Sequence, residues 1–282
     1  LLRIPMPSEV DEVVRIANCS LVSELSTISQ LSQAAIKAGV IHDVTLMVDM
    51  GDLREGVMPQ KILPLVQQIL LLSGIRLQGL GANFACYSGL IPTPEILKIL
   101  VALTQQVRDK FSLELPIISG GNSANIDLLM AGAMPAGITQ LRIGEGILLG
   151  RETLRRNSIP GACQNALILH AEIVEVQEKP SVPPGKIAQD AFGNMPIFID
   201  RGIRKRAIAA IGRQDIEIDD LTSTSPGIDI LGGSSDHLIL DVSDAVDEVT
   251  VGSEVRFYMQ YGALVHAMIS PYVYRVYKRQ EI

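Results

Sequence analysis

The chain has 282 residues, of which 47% are hydrophobic and 20% charged, and its formal net charge is −7. This length and composition predict a soluble protein of about two domains. The negative charge argues against a nucleic-acid partner, because phosphate binding needs a basic surface. The short basic cluster at residues 201–206 is interpreted as a solvated turn or strand edge.

The apolar and cysteine patterns argue against a membrane span and a disulfide framework. The longest apolar stretch, residues 62–75, is interrupted by Pro64 and is too short to cross a bilayer. Three scattered cysteines, Cys19, Cys86 and Cys163, have no metal-binding spacing and predict a reducing, cytoplasmic location.

The first half of the chain alternates short aliphatic runs with amphipathic segments. Predicted strands are residues 1–4, 19–22, 43–48, 77–80, 115–118 and 140–143. Predicted helices between them are residues 24–38, 58–72, 94–110 and 123–131. Six strand–helix units in succession predict a parallel sheet, either doubly wound or closed into a barrel.

Polar and glycine-rich residues follow several of these strands and favour the barrel. They are residues 49–54, Asn83, residues 119–123 and residues 144–146. A TIM-type βα-barrel builds its active site from such residues at the carboxyl ends of its strands. Six strands cannot close an eight-stranded barrel, and residues 1–4 resemble an internal strand. We therefore expect two strands to precede residue 1.

After about residue 160 the helical periodicity ends. Short β-rich segments follow at residues 167–178, 205–211, 237–241, 254–258 and 272–277. The sequence therefore predicts an incomplete cofactor-binding βα-barrel at residues 1–158 and a C-terminal all-β domain at residues 159–282.

Two turns of the predicted barrel are candidate anion sites. Gly144 and Gly146 lie between the last strand and a helix, where exposed N–H groups suit a phosphate, although a plain tight turn explains them equally well. Ser123 follows a neighbouring strand and could donate to the same anion or only cap its helix. Two such turns side by side make a shared anion more plausible than either turn alone.

Other candidate residues have ordinary explanations that stay open. Arg54 could form a surface ion pair with Asp52 or Glu55, which would contribute little. His237 could be an acid–base group oriented by Asp236, but adjacent residues of a strand point to opposite faces.

These segments, taken together, resemble the alanine racemase family of fold-type III pyridoxal-phosphate enzymes, most closely its alanine/ornithine racemase-like branch. The matching segments are residues 2–6, 47–56, 119–125, 141–146 and 233–237. They occur in family order over nearly the whole chain, and as a set they are far more specific than any one of them.

The resemblance implies an amino-acid racemase with pyridoxal 5'-phosphate as cofactor, and a head-to-tail homodimer in which the β-domain of one subunit covers the barrel of the other. Ser123, Gly144 and Glu145 would bind the cofactor phosphate, the last two through backbone N–H groups. Arg142 would face the pyridine nitrogen, and Arg54 would lie near the phenolic oxygen. The remaining implied cofactor-binding residues are Asn83, at a position where the family often has histidine, and Tyr272.

The sequence departs from the family pattern at two points. The family attaches the cofactor to a lysine at the end of the first barrel strand, and this chain starts near the third. Residues 1–282 alone are therefore expected to be inactive. The family's second base is often a tyrosine, and Arg213 stands at that position. Arginine is a poor proton acceptor, so His237 or Tyr272 are the candidates for that base.

Two other functions remain as alternatives. One is a non-catalytic pyridoxal-phosphate carrier or homeostasis protein, although such proteins usually lack a β-domain. The other is a different fold-type III enzyme, a decarboxylase or dehydratase. Decarboxylases of this fold typically pair the pyridine nitrogen with a carboxylate, and Arg142 argues against that.

Overall fold

A computed structural model of the chain describes residues 1–278. The chain divides into two compact units, the first spanning Leu1–Ala162 and the second beginning at Cys163. Within residues 1–278, the helices lack the combination of length and apolar character that crossing a membrane requires.

The first unit is built on a parallel sheet of five strands in the order β1-β2-β3-β4-β5. The strands are β1 (Cys19–Val22), β2 (His42–Met47), β3 (Ile75–Gly81), β4 (Ile117–Asn122) and β5 (Gln140–Arg142). The helices are α1 (Val10–Ile16), α2 (Leu25–Ala38), α3 (Ile62–Ile69), α4 (Pro94–Phe111), α5 (Ile126–Met130) and α6 (Glu145–Leu149). A doubly wound sheet reverses its strand order at a switch point, whereas these strands follow chain order, as in a barrel.

The predicted strand at residues 1–4 is wrong, so the sheet has five strands in place of the six predicted. Leu1 alone pairs with β1: its amino group donates to the Cys19 carbonyl (2.5 Å), and its carbonyl accepts from the Leu21 N–H (3.0 Å). The chain then turns away towards α1. Pro5 and Pro7 lack the N–H that further strand pairing would require.

Helix α4 shows how the sequence specifies the helical layer of this unit. The Thr93 hydroxyl caps its start by accepting from the Ile96 N–H (3.4 Å), and Pro94 occupies the first turn, where no N–H partner is needed. A face spaced by three and four residues is buried, comprising Leu97, Leu100, Leu103, Thr104 and Val107. The helix ends at Ser112, which takes a left-handed conformation (φ 54°).

Strands β3 and β4 approach each other closely at Gly79. A Cβ atom at this position would lie 1.8 Å from the Ile117 carbonyl oxygen, so only glycine permits the observed spacing. The register pairs Gly81 with Ser119. The close approach therefore sets where the carboxyl ends of both strands lie.

The second unit is an antiparallel sheet of six strands in the order β8-β11-β6-β7-β10-β9. The strands are β6 (Ile168–Pro180), β7 (Ile203–Ala209), β8 (Leu221–Ser223), β9 (Asp229–Gly233), β10 (Leu238–Asp241) and β11 (Glu254–Met259). Their inward residues form a separate core that includes Ile173, Ala207, Leu240 and Phe257.

Two features of the second unit differ from the sequence prediction. Residues 272–277 are not a strand, and a helix, α7 (Tyr261–Ile269), follows β11. Helix α7 has apolar residues on its exposed as well as its buried side, so it lacks the polar stripe by which a surface helix is recognised.

Candidate active site

Arg142, at the end of β5, is the centre of a polar cluster at the carboxyl ends of the strands. Its guanidinium donates to the Ser119 hydroxyl, to the Ala82 carbonyl (2.8 Å) and to the Asn83 side-chain oxygen (2.5 Å). Burial lowers the pKa of Arg142, and the nearby Glu55 opposes this effect. An arginine nevertheless stays protonated under ordinary conditions and acts only as a donor.

The loop after β2 contributes Arg54 and Glu55 to the same cluster. Arg54 binds both carboxylate oxygens of Glu55, through Nε and through Nη2 (2.9 Å). The same carboxylate accepts from Nδ2 of Asn83 (2.6 Å), which is 8% exposed. The hydrogen bond to Glu55 raises the pKa of Arg54. Arg54, Asn83 and Arg142, all named from the sequence, therefore belong to one hydrogen-bonded network joined by Glu55, which the sequence interpretation did not assign to the site.

Asp52 holds the loop after β3 in place. This carboxylate is 2% exposed and accepts from the backbone N–H groups of Cys86 (2.9 Å) and Tyr87 (3.2 Å). The Cys86 thiol in turn lies 2.9 Å from the Asn122 side-chain nitrogen, and burial raises the pKa of this thiol. A surface pair with Arg54 is one explanation that the sequence leaves open for Asp52, and the two side chains do lie 3.9 Å apart. Asp52 is nevertheless buried, and its long-range backbone contacts give it a structural role.

Ser123 and the turn before α6 form the second part of the candidate site. The Ser123 hydroxyl oxygen accepts from the N–H groups of Gly144 and Gly146, each at 3.2 Å. A Cβ atom at Gly146 would lie 2.4 Å from Ile126 Cδ1, whereas a Cβ at Gly144 would meet no atom within 4 Å. The Glu145 side chain pairs with Arg156. Open space therefore adjoins the Gly144 backbone beside a buried hydroxyl.

In the second unit, Asp236 and His237 lie in the turn before β10 and contact each other. His237 Nδ1 is 2.8 Å from Asp236 Oδ1. The expectation that alternation would separate them is wrong, because β10 begins at Leu238, one residue after the pair. Hydrogen bonding from Ser235 is the main cause that lowers the pKa of Asp236, and His237 adds to it.

Arg213 packs against this turn. Its backbone N–H donates to the Ser234 carbonyl (3.0 Å), and its guanidinium lies 5.2 Å from the centroid of the Phe192 ring. The segment around Arg213, which departs from the family pattern, is therefore adjacent in space to residues 233–237, which match it. Tyr272, by contrast, is 68% exposed and lies outside any strand.

Among residues 1–278, no group of three or more histidine, cysteine, aspartate or glutamate side chains is placed to hold a metal ion. The arginines and hydroxyls at the strand ends suit an anionic organic ligand instead.

The fold defines a protein with a TIM-type βα domain, which has a polar cluster at its strand ends, and a C-terminal β-domain. The family model "alanine racemase, N-terminal domain" matches residues 1–151. The chain belongs to the alanine racemase family.

Two curated relatives extend the match to nearly the whole chain. An ornithine racemase of Acetoanaerobium sticklandii is 47% identical over 274 residues, which cover 97% of this chain and 78% of that protein. A lysine racemase of Thermotoga maritima is 42% identical over 278 residues, which cover 99% of this chain and 77% of that protein.

Solved structures show the same fold at low sequence identity. An alanine racemase of Clostridium difficile 630 has a TM-score of 0.65 at 18% identity, covering 96% of this chain and 74% of its own. A D-threonine aldolase from Filomicrobium marinum has a TM-score of 0.66 at 16% identity, covering 93% of this chain and 68% of its own. The predicted combination of a TIM-type domain with a C-terminal β-domain is confirmed.

Proposed function

We propose that the protein is a pyridoxal-phosphate-dependent racemase that interconverts the L- and D-forms of a basic amino acid, with ornithine and lysine as the first substrates to test. The observation that carries this proposal is the identity of 47% and 42% to an ornithine and a lysine racemase over nearly the whole chain.

The residues at the strand ends are suited to hold the cofactor. Both lone pairs of the Ser123 hydroxyl accept backbone N–H groups, so what this hydroxyl still offers is its proton, as a phosphate requires. Open space adjoins Gly144, where a phosphate oxygen would need room. Ser123 would then donate its proton to the phosphate, and the Glu145 N–H would donate beside it. The Gly144 N–H, which donates to the Ser123 oxygen in this structure, would be shared with the phosphate. Arg142, Arg54 and Asn83 would surround the ring.

Bound pyridoxal phosphate supplies an electron sink that makes the substrate Cα–H acidic. Arg142 would set how strong that sink is. Three of its five N–H donors are engaged by Ser119, Ala82 and Asn83, and two remain for the pyridine nitrogen. Because a guanidinium only donates, it would keep that nitrogen unprotonated. A weaker sink favours prompt return of the proton over transamination.

His237 is our proposed proton carrier on one face of Cα. Asp236 binds Nδ1 at 2.8 Å, which leaves Nε2 to exchange the proton. Arg213 cannot serve, because its guanidinium does not release a proton near neutral pH. We also propose the head-to-tail homodimer, in which the β-domain of one subunit completes the barrel site of the other.

Racemisation is tested with the full-length protein, pyridoxal phosphate and single enantiomers of ornithine, lysine, alanine and serine. We expect the optical rotation of ornithine or lysine to decay to zero, faster than that of alanine or serine. Cofactor binding without loss of rotation would instead support a carrier protein. Release of carbon dioxide or ammonia would support a decarboxylase or dehydratase.

A further inference from the structure

Glu55 occupies a junction between two parts of the candidate site. Its carboxylate accepts from Arg54 on one side and from the Asn83 side chain on the other. The Glu55 side chain is 19% exposed, against 45% for Arg54, so this is more than a pair on the open surface.

The hydrogen-bonding chemistry of the neighbours fixes the orientation of the Asn83 amide. A carboxylate can only accept and a guanidinium can only donate. Asn83 lies between the Glu55 carboxylate (2.6 Å) and the Arg142 guanidinium (2.5 Å). Its nitrogen must therefore face Glu55 and its oxygen must face Arg142, and the reverse orientation would leave two mismatched contacts.

From this geometry we infer that Glu55 is a positioning residue for Arg142, which acts by fixing the orientation of the Asn83 amide. The inference deepens the proposed function and rests on it where it concerns the cofactor. Among residues 1–278, Glu55 and Arg142 share no hydrogen bond. The effect of Glu55 on the orientation of Arg142 therefore passes through Asn83, beside the direct electrostatic attraction between the two charges.

Two substitutions test the order of donors and acceptors in this network. Each single substitution disrupts the hydrogen bonds of Asn83, and the two together restore matched donors and acceptors. Glu55→Gln removes one of the two acceptor oxygens. Asn83→Asp places a second carboxylate against Glu55. In the double variant, the new amide at position 55 accepts from Arg54 and donates to the new carboxylate at position 83, which accepts from Arg142. The double variant has the same total charge as the unmodified protein, because one carboxylate has moved from position 55 to position 83.

The experiment compares all four proteins in two measurements, the melting temperature without cofactor and the dissociation constant for pyridoxal phosphate. We expect each single variant to bind the cofactor about tenfold more weakly, which is the worth of one charge-assisted hydrogen bond, and the double variant to recover most of that loss. Glu12→Gln serves as the control, since Glu12 pairs with Arg15 (3.0 Å) on the exposed surface.

Single variants that match the unmodified protein, or a double variant whose losses are the sum of the two single losses, would overturn the inference. A merely structural contact between Glu55 and Asn83 would couple the two substitutions in the melting temperature and leave the dissociation constant for pyridoxal phosphate unchanged. If the unmodified protein does not bind pyridoxal phosphate, the proposed function fails. In that case the coupling between the two substitutions in the cofactor-free melting temperatures still decides whether Glu55 orients Asn83.

Discussion

The hydroxyl oxygen of Ser123 lies 3.2 Å from the backbone nitrogen of Gly144. This contact joins the end of β4 to the turn after β5, and Ser123 is 4% exposed. A second N–H, from Gly146, uses the remaining acceptor capacity of the hydroxyl. The serine therefore holds the turn, and the hydroxyl proton is what it can still offer to another partner.

Ser123→Ala should weaken binding of pyridoxal phosphate by about tenfold or more, because the variant loses a donor to the phosphate and the oxygen that holds the turn at Gly144 and Gly146 in place. Titration of the cofactor followed by absorbance measures this. Ser29→Ala is the matched control, since Ser29 makes one hydrogen bond within α2, to the Leu25 carbonyl (2.8 Å). Unchanged affinity in Ser123→Ala would place the phosphate elsewhere.

Arg142→Lys should lower the free energy of unfolding by about 2 kcal/mol, because an ammonium cannot reproduce the planar fork that binds Ser119, Ala82 and Asn83 together. Urea unfolding of both proteins measures the difference. Arg108→Lys is a useful comparison, since Arg108 binds two backbone carbonyls on the surface, those of Glu114 (2.8 Å) and Leu115 (2.7 Å). A larger loss in Arg108→Lys than in Arg142→Lys would contradict the central position given to Arg142.

His237→Gln should lower the racemisation kcat by about a hundredfold or more, the usual contribution of a general acid–base group, while cofactor affinity stays near that of the unmodified protein. His170→Gln is the matched control in the same unit, because His170 also pairs with a carboxylate, Glu254 (3.2 Å). Equal kcat values for the two variants would remove His237 from the mechanism, and Tyr272→Phe would then be the next variant to measure.

Glu152 should make stability depend on pH in the acid range. Burial of its carboxyl alone would raise the pKa, but hydrogen bonds from the N–H groups of Asn157, Arg155 and Leu154 outweigh it and lower the pKa. A carboxyl with a lowered pKa in the folded state stabilises the fold above its unfolded value of about 4.3, and the benefit disappears as pH falls through the folded value.

The melting temperature of Glu152→Gln should therefore lie below that of the unmodified protein at pH 7, and the two curves should converge as the pH falls below about 4. A constant difference from pH 7 to pH 3 would show that the carboxylate charge of Glu152 is not what stabilises the loop at residues 152–157.

Strand β2 of the first unit was predictable because it is a short, largely aliphatic run whose residues are nearly all buried. The strand predicted at residues 43–48 is observed at His42–Met47. The prediction at residues 1–4 failed because an aliphatic run does not show whether a neighbouring strand accepts its hydrogen bonds. Helix α7 was not predicted because its apolar residues lie on several faces, so the sequence lacks the periodic pattern of a surface helix.

The candidate site was predictable where a glycine or a polar residue ends or follows a strand. Ser123, Gly144, Arg142, Asn83 and Arg54 carry that signal. Glu55 does not, because adjacency to Arg54 suggests a local surface pair, and its contact with Asn83 joins positions 28 residues apart. A partner so distant in the chain is fixed by the fold, and no local pattern encodes it.

The close approach of β3 and β4 at Gly79 has a consequence for mutational scans. Any side chain there must push β4 away from β3, since its Cβ would overlap the Ile117 carbonyl. Ser119 and Asn122 lie farther along β4, and Ser119 anchors Arg142. In a saturation library selected for activity, substitutions at position 79 would thus be depleted as strongly as substitutions at Ser119 or Asn122. A mutational scan would then rank Gly79 with the residues that contact a ligand, although glycine has no side chain.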